Sequence, residues 1–236
     1  MAYSYGPTIV KSGLVLALDA ANRKSYPGSG ATWADISRNG YNSTLTNGAA
    51  FTIAGGGAIA FDGANDRVDC GTNFSSFITG TNSFTIECWV YPASTQAQYA
   101  DIWGNHTDNF TGVVCQQNFT SSNQYTWGWG NGVSWATSGI SNFFNLNALR
   151  WNHLVAIRNG SSVLTYLDGL LIDTTTNSSV VAPNSSFNFQ IGTGYNLNSS
   201  RYLNGWVSNF RIYSRALSSA EVLQNYTATK GRYGLA

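Results

Sequence analysis

Glu87 and Glu221 are the only glutamates in a chain of 236 residues, and His106 and His153 are its only histidines. Acid–base chemistry on a glycosidic bond needs two carboxyl groups facing one another across it. Glu221 follows Ser218 by three residues, the spacing of a capping box, so it reads as the opening of a helix. Glu87 lies in "SFTIECWVYP", with Thr85 and Trp89 at i±2 instead of acids, and reads as a lone polar residue on a strand face. There is no Gly-x-Ser-x-Gly elbow and no diagnostic Cys–His spacing. The expectation is a protein that is not an enzyme.

Two clusters could hold a ligand without transforming it. In "DIWGNHTDNFTG" (101–112), Trp103, Asn105, His106 and Asp108 combine a ring with polar groups, enough to grip a hydroxylated ligand. In "QYTWGWGNGVSWATSG" (124–139), three tryptophans fall around a Gly-Asn-Gly turn. If 124–130 is a strand, Tyr125, Trp127 and Trp129 share one face opposite Thr126, Gly128 and Gly130. Glycines cannot fill a core, so the ring face is expected to turn inward. Beyond the turn, Val133 and Trp135 are expected to pack on the apolar side of the first strand. The candidate carbohydrate-binding residues are Trp103, His106, Asp108 and Trp129, the last being the indole nearest the turn.

These groups need a scaffold, and the chain suggests one of short strands. It is 43% hydrophobic and 14% aromatic but only 10% charged, which points to a globular fold with a surface rich in Asn, Ser, Thr and Gly. A net charge of +1 offers no field for nucleic acid and no polybasic membrane patch. No stretch approaches the ~20 apolar residues of a membrane span. "AIAFDG" and "NDRVDCG" read as strand, turn and strand. In "SFTIECWVYP", Phe84, Ile86, Cys88 and Val90 alternate with Thr85, Glu87, Trp89 and Tyr91, and Pro92 ends the run. Asn159-Gly160 and Asp168-Gly169 mark two hairpins. Cys70, Cys88 and Cys115 are expected to pack as small apolar groups. Many strands and one short C-terminal helix predict an all-β, two-sheet antiparallel sandwich. With no linker, residues 1–236 are expected to form one domain, with 1–56 as a strand-and-loop extension integrated into it.

Four segments, "FDGANDRVDCG", "SFTIECWVYP", "WNHLVAIRNGSSVLTYLDGLLI" and "LNGWVSNFRIYSRALSSAEV", together resemble the concanavalin A-like lectin/glucanase superfamily in its laminin-G-like jelly-roll branch. The resemblance implies a concanavalin A-like jelly roll. Its retaining glucanases carry an acidic E-x-D-x-E strand, which this chain lacks, and His153 stands where similar non-catalytic jelly rolls often have a structural histidine. Relatives also hold Ca²⁺ at the sandwich rim; here Asp62, Asp66 and Asp69 are the candidates. Asp62-Gly63 has turn residues, Asp66 and Asp69 flank a short strand, and Ser208 and Asn209 replace an acidic pair found in relatives. No cofactor is therefore expected.

The opening "GPTIVKSGLVLALDAANRKSYPGSGATWADISRNGYNSTLTNG" and the ending "NYTATKGRYGLA" resemble structural proteins of tailed bacteriophages, especially marine ones. That resemblance implies a virion structural protein, a capsid decoration, fibre or tail-appendage component, with weak glycan binding at a host surface. The expected partners are other virion proteins and further copies of the chain. No secretion leader opens the sequence, so synthesis in a host cytoplasm and assembly into the virion are expected. The alternative is a free-standing carbohydrate-binding lectin without catalysis.

Overall fold

A computed structural model describes residues 8–118, 121–137, 143–195 and 201–235. In chain order the strands are β1 (Leu14–Asp19), β2 (Thr32–Trp33), β3 (Ser43–Thr46), β4 (Ala50–Thr52), β5 (Ala58–Asp62) and β6 (Arg67–Asp69). They continue with β7 (Phe84–Pro92), β8 (Asp101–Gly104), β9 (Val113–Gln117), β10 (Gln124–Gly130), β11 (Trp135–Thr137) and β12 (Phe144–Asn145). The last are β13 (Asn152–Asn159), β14 (Ser162–Leu167), β15 (Leu170–Thr176), β16 (Gln190–Ile191) and β17 (Asn204–Tyr213). The helix α1 (Ser219–Thr229) follows, and a 3-10 turn over Lys230–Tyr233 continues it. No helix among the described residues is long and apolar enough to cross a membrane.

Two antiparallel sheets face each other. The first runs β15-β14-β13-β7-β17-β5-β4, with β1 alongside β17 next to β5. The second runs β11-β10-β9-β8-β16-β6-β3-β2, with β12 on β10. Thus the segments 58–62 and 67–69 do not form a hairpin; the turn between them carries the chain from one sheet to the other. β1 and β4 join the first sheet and β2 and β3 the second, so the N-terminal segment is woven into both layers.

The alternation in β7 sets the core. Phe84, Ile86, Cys88 and Val90 point between the sheets, where they meet Leu154, Phe210 and Ile212 from the first sheet. Tyr125, Trp127, Trp129 and Cys115 come from the second. All three cysteines are buried free thiols. Trp127 also has a polar partner, its Nε1–H donating to Thr165 Oγ1 at 2.9 Å. The Asp168-Gly169 hairpin forms as the sequence predicts, with Leu167 opposite Leu170 and positive φ at both turn residues. At the other hairpin Asn159 pairs with Ser162, so the turn residues are Gly160 and Ser161, one place further along.

The outer face of the first sheet is also buried. Val155, Ile157 and Tyr213 pack under Val10 and Val222, while Trp89 and Trp151 pack with Tyr233. The helix starts as the sequence predicts: Ser218 accepts from the Glu221 N–H, and the Glu221 carboxylate accepts from the Ser218 N–H. Asn225 then fastens α1 down. Its Nδ2–H donates to Glu87 Oε2 at 2.6 Å, and its Oδ1 accepts the Val10 N–H at 2.7 Å.

Candidate functional site

Trp103 and Trp129 do not form a sugar platform. They are 1% and 0% exposed, Trp103 stacked on Phe189 and Trp129 beneath the guanidinium of Arg158. A ring needs a free face to stack on a sugar, and both indoles have theirs inside the core. Nor does Trp135 pack on the apolar side of β10. The register sets Trp129 opposite Ala136 and Gly130 opposite Trp135, which turns Trp135 to the glycine side, while Val133 is 80% exposed at the turn. The half-buried Trp135 is the indole of this hairpin that reaches the surface.

His106 and Asp108, by contrast, lie together in a loop fixed to the outer face of the second sheet. The His106 N–H donates to Gly194 O at 2.8 Å, and Thr107 N–H to Thr111 O at 3.2 Å, closing a tight turn. Asn105 and Asn184 exchange side-chain bonds with each other's carbonyls at 3.2 and 2.6 Å, tying the loop's base to a distant segment. The loop crosses β10 where there is no side chain: a Cβ on Gly130 would collide with the Phe110 carbonyl. Gly130, on the face opposite the tryptophans, therefore makes room for this loop.

Around it gathers a set of groups that the local sequence pattern does not reveal. Asp101 is fully buried, and its Oδ2 lies 3.2 Å from His106 Nε2 and accepts the Gly194 N–H at 3.1 Å. Burial pushes the Asp101 carboxyl up, against the pull of His106, Arg201 and the Gly194 N–H. Short parallel bridges, Asp101 with Tyr202 and His106 with Tyr195, bring in residues from a distant part of the chain. Tyr195 OH donates to the exposed Asp108 carboxylate, a contact that raises the phenol's pKa. Arg201 lies over Tyr195 and Tyr99, 4.2 and 4.8 Å from the ring centres. The His106 ring contacts Trp135 edge-on at 5.1 Å.

Two polar atoms in this cluster lack protein partners. Asp101 Oδ1 and His106 Nδ1 are buried without a hydrogen bond. So is Thr126 Oγ1, two strands along the same face, since Asp101 pairs with Gln116 and Gln116 with Thr126. Leaving such groups unpaired costs about 1–3 kcal/mol each. The cluster therefore has unused donor and acceptor capacity beside a partly exposed ring.

The chain's two glutamates are engaged elsewhere. Glu87 shares a face with Trp89 and Tyr91 as expected, but that face is roofed by α1. Its Oε1 accepts from Arg211 at 2.5 Å and lies 3.0 Å from His153 Nε2, so His153 has the structural role the sequence suggests. Burial alone would raise this carboxyl, but Arg211, His153 and Asn225 overcome it and hold the pKa at about 2. Glu221 closes the helix cap and pairs with Arg215 at 2.6 Å.

Asp62, Asp66 and Asp69, the aspartates that the resemblance singles out, are each engaged in hydrogen bonds. Asp62 Oδ1 accepts the Ala64 N–H at 2.8 Å, and Asp66 Oδ2 the Asp62 N–H at 3.0 Å. Asp69 Oδ1 accepts from Gln190 at 2.7 Å and from the guanidinium of Arg67 at 3.3 Å. Among the described residues, no group of three or more His, Cys, Asp and Glu side chains is placed to hold a metal.

Known proteins resemble this arrangement in fold. Domain 4 of AbnA, an extracellular arabinanase from Geobacillus stearothermophilus solved with arabinotriose, superposes with a TM-score of 0.70 at 16% identity. The match covers 91% of this chain and 98% of that domain. The binding domain of Paraclostridial Mosquitocidal Protein 1 gives 0.70 at 17% identity, with 92% of this chain and 52% of that one. The Botulinum neurotoxin DC binding domain solved with SialylT gives 0.68 at 13%, covering 93% and 52%. The chain thus spans nearly all of the arabinanase domain but about half of each toxin domain. No curated protein matches the sequence. The family profile described as the concanavalin A-like lectin/glucanases superfamily matches residues 62–223, well over half of the chain. Sequence match and two-sheet fold agree, and the chain belongs to the concanavalin A-like lectin/glucanases superfamily.

Proposed function

We propose that this is a non-catalytic carbohydrate-binding domain whose ligand meets the outer face of the second sheet at His106, Asp108, Trp135, Tyr195 and Arg201. The observation that carries the reading is the pair of buried, unpartnered atoms, Asp101 Oδ1 and His106 Nδ1, beside the half-buried indole of Trp135. Sugar hydroxyls both donate and accept, and the ring's exposed part suits the C–H face of a pyranose or furanose. Structures of similar fold that were solved with arabinotriose and with SialylT lend support. The test is a glycan array on the intact chain with matched variants. Trp135→Ala and His106→Ala should weaken binding by about tenfold or more, the loss of roughly 1.4 kcal/mol or above, with an unchanged circular dichroism spectrum. Binding to no glycan would overturn the reading.

The setting we propose is a virion, with the domain displayed as a decoration, fibre or tail-appendage component beside other virion proteins and copies of itself. The motivation is the resemblance of its N-terminal and C-terminal segments to phage structural proteins. Mass spectrometry of purified particles should contain this chain; its absence from them would remove the virion setting and leave a free-standing lectin.

A further inference from the structure

A cleft of about 430 Å³ opens between β1 and the loop that follows β2, apart from the His106 cluster. Ile9, Leu14 and Ile36 line it with aliphatic surface, and Lys11 and Arg38 add two cations. Both cations are exposed, and among the described residues neither has a hydrogen bond or an ion pair to its charged group. The nearby carboxylate, Asp35, is already saturated. Its Oδ1 accepts the Ala17 and Ser37 N–H groups at 2.9 and 2.8 Å, and its Oδ2 accepts the Tyr41 N–H at 3.1 Å.

These bonds make the loop rigid, and the rigidity holds one residue in an unfavourable state. Arg38 has φ = +85°, a region that residues with a Cβ rarely occupy. Such a conformation persists only where the surroundings over-determine it, and it concentrates at recognition sites. Here Asp35 fixes one side of the loop. Asn39 fixes the other, its Nδ2 donating to Leu14 O and Val15 O at 3.1 and 2.9 Å. With the Ile36 N–H donating to Ala17 O at 2.9 Å, those bonds occupy carbonyls of β1, so an incoming segment must dock through its side chains.

We propose that this cleft is an interaction site for an acidic–aliphatic segment of a partner protein chain. The carboxylate is met by Lys11 and Arg38, and the aliphatic side chains lie on Ile9, Leu14 and Ile36. Charge complementarity selects this occupant: the rim carries two unpaired cations, and Asp35, the acid of the cleft's own loop, is fully engaged. The strained Arg38 is the price of presenting a guanidinium from a preformed loop.

Three terminally blocked tripeptides titrated into the intact, isotope-labelled chain test this by NMR. The leucine–aspartate–leucine peptide should shift the signals of Ile9, Leu14 and Ile36. It should bind about tenfold more tightly than leucine–asparagine–leucine or alanine–aspartate–alanine, as loss of a charge-assisted contact or of aliphatic burial implies. Arg38→Gly should weaken that binding to a similar degree while raising Tm by ~2–4 °C, because glycine occupies positive φ freely. Equal binding of the asparagine peptide overturns the proposal, as does undiminished binding by Arg38→Gly or a Tm that fails to rise. Tighter binding of octanoate than of the peptide would assign the cleft to a small amphiphile. Self-association in the ultracentrifuge that Arg38→Gly abolishes would assign it to a second copy. Either result also overturns it, and none of these outcomes bears on the glycan site.

Discussion

Glu87 shows how far one side chain's role depends on what lies over it. From its spacing it is a polar residue on a strand, and the alternation of β7 places it on the expected face. The helix above removes it from water, and Arg211, His153 and Asn225 then become its solvent. Glu87→Gln leaves Arg211 buried without its counter-charge, which should cost about 3–5 kcal/mol in urea unfolding. The same pair predicts acid sensitivity. The carboxyl titrates at about 2 in the folded protein and near 4.3 when unfolded, so its contribution of about 3 kcal/mol is complete above pH ~4.3. It is lost as pH falls toward 2. Urea unfolding at pH 6 and pH 3 should show roughly half of that loss in the parent chain and much less of it in Glu87→Gln.

At the scale of elements, the strongest strands and the helix cap were legible in the sequence, and the parity across one turn was not. β7 alternates without interruption, and the capping box of α1 needs only Ser218 and Glu221. Ser218→Ala should therefore cost about 1 kcal/mol, measurable by thermal unfolding. The β10–β11 hairpin is different. Periodicity gives the correct inward face for Tyr125, Trp127 and Trp129, but one residue of turn length decides which face Trp135 takes. The turn is shaped by Asn131, whose Oδ1 accepts the Val133 and Ser134 N–H groups at 2.9 and 2.7 Å, a detail the strand pattern does not encode. Likewise His106 and Asp108 stand out in a local cluster, whereas Tyr195 and Arg201 reach them through parallel bridges between segments with no strand signature. Gly130→Ala should displace the Phe110 loop and move the His106 and Trp135 signals in NMR, with Trp127 unaffected.

For the whole molecule, the N-terminal segment is structural material. β1 to β3 contribute Leu16, Leu18, Trp33 and Leu45 to the common core. Burying the three leucines alone is worth about 5–9 kcal/mol, comparable to the ~5–15 kcal/mol net stability of a typical domain. A chain beginning at residue 57 should therefore elute as aggregate in gel filtration and lack cooperative unfolding, although it would keep the whole of the stretch that the family profile matches, residues 62–223.

The clasp between Val10, Asn225 and Glu87 has a consequence for orientation. It gathers the two ends of the described chain over one broad side of the sandwich: Gln224 donates to Thr8 O at 2.6 Å, and Leu235 packs near Trp89 and Trp151. The His106 cluster lies on the opposite side. A tether leading away from Thr8 or Leu235 would leave the domain by its back, with the face that carries the His106 cluster turned outward like the palm of a raised hand.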